Sequence, residues 1–230
     1  MKKLLLASTS TLFGERYLEY ILQDVALFFK DVDTVTFIPF ARPGGISHDD
    51  YTEIAAKAFA KIDKKVIGLH TYKNHKEGID QAQAFFCGGG NTFVLVQQLY
   101  SQNAMQHLKE RITNGTPYMG TSAGSNIAGI TMKTTNDMPI VYPPSFDTMH
   151  LVNFNINAHY LDPDPNSKHN GETRETRLKE FHAYNNTPVV GLREGSFLLV
   201  TANTIELKGK HTARIFEVNK TPYESKTIDF

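Results

Sequence analysis

The sequence predicts an α/β fold in which a mostly parallel sheet carries helices on both faces. Three observations lead there. Up to about residue 130, short unbroken apolar runs alternate with segments of helical period, the rhythm of successive βαβ units. The apolar runs end in turns of small residues, among them Ser8-Thr9-Ser10-Thr11 and Gly88-Gly89-Gly90-Asn91. Beyond residue 150 the rhythm shifts to short, closely spaced strand-like runs, which predicts antiparallel strands at the sheet edge.

Residues 4–7 are a continuous apolar run, as a strand buried on both faces requires. Leu18, Ile21, Leu22, Val25, Phe28 and Phe29 then recur at helical spacing. Residues 35–40 form the second strand, stopped by Pro39 and the turn Arg42-Pro43-Gly44-Gly45. Ser47 is the predicted N-cap of a helix whose apolar face is Ile54, Ala55, Ala58, Phe59 and Ile62, with Asp49 and Asp50 in its first turn. Strands are expected at 65–69 and 84–87, and a short helix at 78–82. Helical patterns follow at 92–99 and 103–112, the second closed by Asn114-Gly115. Residues 116–119 are the next strand, and residues 126–130 are small enough to begin a helix.

Residues 151–160 alternate, with Phe154, Ile156 and Ala158 on one face and Asn155, Asn157 and His159 on the other. Residues 161–171 are polar and proline-rich, so a loop; residues 172–184 are helical. Strand-like runs close the chain at 189–192, 196–201, 204–208 and 213–218. No linker interrupts the chain, so residues 1–230 are expected to form one domain.

Composition narrows the function. Lys plus Arg and Asp plus Glu each number 24, a formal net charge of zero, and no basic block stands out. Nucleic acid and anionic membranes are therefore not the expected partners. The apolar start Leu4-Leu5-Leu6 is too short for a secretory signal, and no stretch is long enough to span a bilayer. The single cysteine, Cys87, excludes an internal disulfide and suits a reducing, cytoplasmic setting. It lies in an apolar strand, where a buried inert thiol is expected. There is no His-Glu-x-x-His and no cysteine cluster, and Asp162 and Asp164 are separated by proline, so neither metal nor cofactor is expected.

The chemistry gathers at Gly120-Thr121-Ser122-Ala123-Gly124-Ser125-Asn126. Gly-x-Ser-x-Gly between a strand and a helix is a nucleophile elbow. The turn is so tight that its flanking residues must be nearly free of side chain. The serine oxygen is pushed out where helix N–H groups face a developing oxyanion.

A serine needs a base. Of the nine histidines, His48, His70, His75, His107, His150, His169, His182 and His211 occupy positions of no special context. His159 stands apart: it ends a strand on the polar face, just before a long loop. Two carboxylates compete to orient it, Glu194 in Gly191-Leu192-Arg193-Glu194-Gly195 and Asp137 in Thr134-Thr135-Asn136-Asp137. Ligands of parallel sheets bind beyond the carboxyl ends of the strands, which puts Gly88-Gly89-Gly90 beside Ser122. The glycines leave room for a substrate to approach the main chain. They do not make a dinucleotide fingerprint, because Phe93 stands where the third small residue belongs.

In this order along nearly the whole chain, Phe37-Ile38-Pro39-Phe40-Ala41, Gly88 to Phe93, Gly120 to Asn126, Thr134 to Ile140, Ile156-Asn157-Ala158-His159, Gly171-Glu172-Thr173-Arg174-Glu175 and Gly191 to Gly195 resemble the peptidase E family of aspartyl dipeptidases. Thr121, where an aromatic residue is usual, and Ser125, in place of a small apolar residue, depart from the pattern. The resemblance implies a three-layer αβα sandwich of the class I glutamine amidotransferase type, with a mostly parallel, flavodoxin-like sheet and antiparallel C-terminal strands. It implies a triad of Ser122 as nucleophile, His159 as base and Glu194 as its acid, with the N–H groups of Gly90 and Ala123 as oxyanion hole. The order Ser, His, Glu differs from the Ser, acid, His order of α/β-hydrolases and argues against an esterase.

The activity implied is removal of an N-terminal aspartate from a small peptide. Arg174 is then expected on the substrate carboxylate, Glu172 on its amine, and Asn91 and Asp137 in the pocket. A cyanophycinase-like exopeptidase acting on β-aspartyl bonds and a non-catalytic peptide-binding relative are the alternatives. A monomer or a homodimer is expected.

Overall fold

In the computed structural model, which describes residues 1–166, 168 and 170–230, the first strand shows how the layers arise. Strand β1 (Lys3–Ala7) sends Leu4 and Leu6 into one core cluster and Leu5 and Ala7 into another. Side chains alternate across a strand, so an unbroken apolar run fills both faces. A one-residue slip would exchange the two sets, which fixes the register.

Six further segments complete the first half: β2 (Thr34–Ile38), β3 (Lys65–Gly68), β4 (Phe85–Cys87), β5 (Tyr118–Thr121) and the hairpin β8 (Ser196–Thr201) and β9 (Thr204–Gly209). They pair with β1 as a seven-stranded sheet of order β3-β2-β4-β5-β1-β8-β9. The first five are parallel to one another, and β8 and β9 join antiparallel.

One face is covered by α1 (Leu22–Phe28) and α2 (His48–Phe59), which supply Val25 and Ala55 to the cluster holding Leu5. Ser47 caps α2 as expected, its hydroxyl accepting from Asp50 N at 3.0 Å. The other face is covered by α3 (His75–Gln81), α4 (Thr92–Ser101) and α5 (Ala104–Thr113), together with a second sheet. That sheet has the order β11-β10-β7-β6, from β6 (Asn155–Ala158), β7 (Val189–Leu192), β10 (Ala213–Phe216) and β11 (Tyr223–Ser225). Ile156, Val190 and Ile215 join Leu4, Leu95 and Leu108 in one cluster, so the two sheets share a core.

The C-terminal strands therefore divide. Residues 196–209 extend the main sheet, while 189–192 and 213–216 leave it for the second one, where β6 and β7 run parallel. Helix α6 (Ala123–Asn126) is a single turn, earlier and shorter than expected, and α7 (Arg174–His182) packs Leu178 against β7 and β10. Among the described residues, no helix is long and apolar enough to cross a membrane. His169 lies outside the described residues.

Candidate active site

The elbow is built by steric necessity. A Cβ on Gly120 would lie 2.4 Å from the Gly124 carbonyl oxygen, and one on Gly124 would lie 2.3 Å from that of Cys87. Only glycine lets α6 seat so closely on β4 and β5. Ser122 pays the conformational cost, with φ 52° and ψ −111°. A non-glycine residue in that region is strained, and strain of this kind survives only where neighbours enforce it. Here they do. Ser122 N–H donates to Ala7 O at 3.0 Å, and the Ser125 hydroxyl shares its one proton between Ala7 O and Gly120 O, at 2.6 and 2.8 Å. The hydroxyl at 125 is thus used in full, which accounts for a serine there.

Ser122 Oγ is 2.9 Å from His159 Nε2, and His159 Nδ1 is 2.6 Å from Glu194 Oε1. The second carboxylate is elsewhere. Asp137 Oδ2 accepts from Thr92 N–H at 2.7 Å and from the Thr135 hydroxyl at 2.8 Å, at the start of α4. Asn91 is equally engaged: Oδ1 accepts from Val94 N–H and Nδ2 donates to Met138 O. These two residues cap α4 and tie it to the segment around Asp137 and Met138, beyond α6. The segment 134–137 also holds β6, through Asn157 Nδ2 to Thr134 O at 2.7 Å and Asn136 Nδ2 to Ala158 O at 2.8 Å.

His159 and Glu194 have side chains 38% and 51% exposed. A histidine–carboxylate contact that open to water contributes at most about 1 kcal/mol, so it does not hold itself in line. The scaffold does. His159 takes φ 54° at the end of β6, and its N–H donates to Ser8 Oγ at 2.9 Å. Ser8 Oγ in turn donates to Leu192 O at 2.6 Å, two residues before Glu194. Ser8 is buried and sits on the loop after β1. Its place at the ligand edge was legible from the sequence; its bonds to residues 151 and 184 positions away carry no local signal.

Opposite the serine, Gly89 packs so closely that a Cβ there would be 3.1 Å from Ser122 Cβ. Gly90 has φ 145°, and its Cα approaches Ala41 O so nearly that a Cβ would sit at 2.3 Å. Among the described residues, neither Gly90 N–H nor Ala123 N–H has a hydrogen-bond acceptor. Cys87, directly before this loop, is buried, and burial pushes its thiol up to about 12, so it stays protonated.

Arg174 opens α7 and is half-buried. Burial, then repulsion from Arg177, draws its pKa down, while Asp137 pulls it back up. No carboxylate among the described residues lies within ion-pair distance of it. Glu172 lies in the loop before α7, exposed, with Oε2 3.7 Å from Arg177 Nε. A cavity of about 840 Å³ lies at the opposite end of the sheet, around Lys2, Leu151 and Phe230, and contains none of these groups.

A serine, an imidazole and a carboxylate in one hydrogen-bonded line, on a strained turn at the carboxyl edge of an α/β sheet, have the geometry of a serine hydrolase. Comparison with known proteins agrees and is narrower. The chain belongs to peptidase family S51, whose family model matches residues 4–208. It is 44% identical over 221 residues to a probable alpha-aspartyl dipeptidase of Drosophila melanogaster, covering 95% of this chain and 91% of that protein. It is 46% identical to a peptidase E of Streptomyces coelicolor, covering 96% and 90%. In fold it matches a putative peptidase E protein from Listeria monocytogenes EGD-e, with TM-score 0.66 and 24% identity over 91% of this chain and 99% of that one.

Proposed function

We propose that this chain is a serine dipeptidase that removes an N-terminal aspartate from Asp-Xaa peptides through an acyl-enzyme. The observation that carries the reading is the continuous line Ser122 Oγ, His159 Nε2, His159 Nδ1, Glu194 Oε1, at 2.9 and 2.6 Å. In this reading His159 takes the proton of Ser122 as its oxygen attacks the scissile carbonyl. Glu194 holds the ring in the tautomer with Nε2 free and stabilises the imidazolium. The oxyanion receives the N–H groups of Gly90 and Ala123. His159 then protonates the leaving amine, and water, deprotonated by the same ring, releases aspartate.

The names of the relatives support an aspartyl substrate, and a half-buried guanidinium without a carboxylate supports Arg174 as its reader. Glu172 is the group assigned to the substrate amine. Asn91 and Asp137 shape the pocket wall, and Asp137 is the carboxylate whose field reaches Arg174. The whole chain, 1–230, acts as one domain. A buried free thiol suits a cytoplasmic setting.

The test is hydrolysis of α-aspartyl and β-aspartyl dipeptides by the parent, Ser122→Ala and Arg174→Ala. Ser122→Ala is expected to lower turnover of the α-linked substrate by about 10⁴-fold or more with the fold intact. Full activity in it removes the proposal, and a parent that prefers β-linked peptides transfers the activity to the exopeptidase class. Arg174→Ala is expected to bring Asp and Asn substrates to similar, low kcat/KM.

A further inference from the structure

Among the described residues, the Glu194 side chain hydrogen-bonds one partner only, His159. Its direction is therefore set by the turn that carries it, and Arg193, immediately before it, is where that turn is anchored.

The Arg193 side chain is 15% exposed and spends every donor. Nε and Nη2 form a fork on Asp162, at 2.8 and 2.7 Å to Oδ2 and Oδ1. Nη2 and Nη1 form a second fork on Glu224, at 2.9 and 3.0 Å. Nη1 also donates to Thr212 O at 2.7 Å, and the guanidinium lies over the Tyr160 ring at 5.4 Å. Bidentate arginine–carboxylate pairs fix orientation as well as distance. Asp162 and Tyr160 belong to the loop that leaves His159. One guanidinium thus ties the segment bearing the base to the segment bearing the acid. Glu224 carries the link onward to Arg214 at 3.5 Å, and Arg214 to Glu175 on α7 at 3.0 Å, beside Arg174.

We infer that Arg193 is a positioning residue, whose clamp on Asp162 keeps the Glu194 turn in register with His159; the inference rests on the triad reading above. A lysine cannot replace it, since a single ammonium offers no fork.

The experiment uses Arg193→Gln and the milder Asp162→Asn in the full chain. Two readouts are taken: steady-state kinetics on an aspartyl p-nitroanilide, and the ¹H resonance of the His159 Nδ1–H, which a short hydrogen bond to a carboxylate shifts downfield. Misplacement of a catalytic group by about 1 Å costs up to about 10²-fold. Expected for both variants are a kcat lowered between about tenfold and that limit, a KM within about twofold of the parent, and a His159 Nδ1–H resonance moved upfield or lost to exchange, because its hydrogen bond to Glu194 is weakened. The resonance needs no substrate, so it reports on the clamp even if the parent proves inactive on aspartyl compounds. An unchanged Nδ1–H resonance in Asp162→Asn overturns the inference. So does a variant that loses thermal stability but keeps kcat, or one in which KM rises and kcat stays.

Discussion

Gly124 and Gly89 stand on either side of Ser122 and respond differently to a side chain. At Gly124 the added methyl meets main chain, the Cys87 carbonyl oxygen at 2.3 Å, and strand β4 has no room to retreat. Gly124→Ala is expected to lower stability by about 3 kcal/mol, the upper part of the usual range for overpacking, as a shift in urea midpoint. At Gly89 the nearest atoms are Ser122 Cβ at 3.1 Å, Thr121 O at 3.4 Å and Ser122 Oγ at 3.7 Å, so the closest contact is the serine side chain. Gly89→Ala is expected to keep most of the stability and lose turnover instead, because the methyl fills the approach to the nucleophile. Equal stability losses in the two variants would show that both glycines serve packing alone. At this scale the sequence was most readable where chemistry demands a particular residue. The elbow glycines, Ser122, His159 and Glu194 could be picked out one by one, with the choice between Glu194 and Asp137 left to the family resemblance. Asn91 and Asp137, expected in the pocket, also bond to Thr92, Val94 and Met138, and those partners could not be read from residue type. The left-handed backbone of Ser122 and His159 leaves no mark in residue type at all.

Among the elements, α2 and α3 both begin with a histidine, His48 and His75, and both rings pack on Phe40, with centroids 5.4 and 5.6 Å away. Burial, then the neighbouring His70, lowers the pKa of each; Asp49 opposes the shift at His48 and the side chain of Gln102 opposes it at His75. A helix N-terminus disfavours a cation as well. The fold therefore prefers these rings neutral, while the unfolded chain takes up protons near the ordinary value of 6.5. Where the unfolded state binds more protons, stability rises with pH. The contribution is intact above about 6.5 and is lost as pH falls from there through the depressed folded values. The carboxylates Asp162, Glu175 and Glu224, held below the usual range by arginine and lysine, give way only in stronger acid. Urea midpoints are expected to decline between pH 7 and 5.5 in the parent and to decline less in His48→Gln/His75→Gln. Parallel curves would exclude this source. Helices such as α2 and α5 were legible because an amphipathic face repeats within the segment itself. Helix α6 was not, since four residues hold no period, and β11 was too short and exposed to show alternation.

For the whole molecule, the decisive feature is that the site spans two sheets. Ser122 and the glycine loop belong to the seven-stranded sheet, His159 and Glu194 to the four-stranded one, so catalysis in this reading depends on how the sheets dock. The sequence conveyed the parallel half, where strand follows helix follows strand, but not the division of the last strands. Whether residues 189–192 pair with β8 or with β6 is decided by partners remote in the chain. The docking has a small hinge pin. Ser8 leaves β1 of the first sheet, receives the N–H of His159 and donates to Leu192 O, touching the two strands that lead to His159 and Glu194. In Ser8→Ala, Leu192 O still accepts from Tyr160 N–H at 3.1 Å, but the His159 N–H loses its acceptor. An unsatisfied buried donor costs about 1–3 kcal/mol, and that is the expected drop in unfolding free energy. The activity should fall further than stability explains, by about tenfold or more in kcat at a KM near the parent's, because the orphaned amide frees the end of β6 to shift relative to Ser122. Amide exchange supplies the structural check: protection is expected to fall along β6 and β7 while β2, β4 and β5 keep theirs. A Ser8→Ala protein with parental kcat and uniform protection would mean that the sheets are held in register by their shared apolar core alone, and that the hydroxyl between them is incidental.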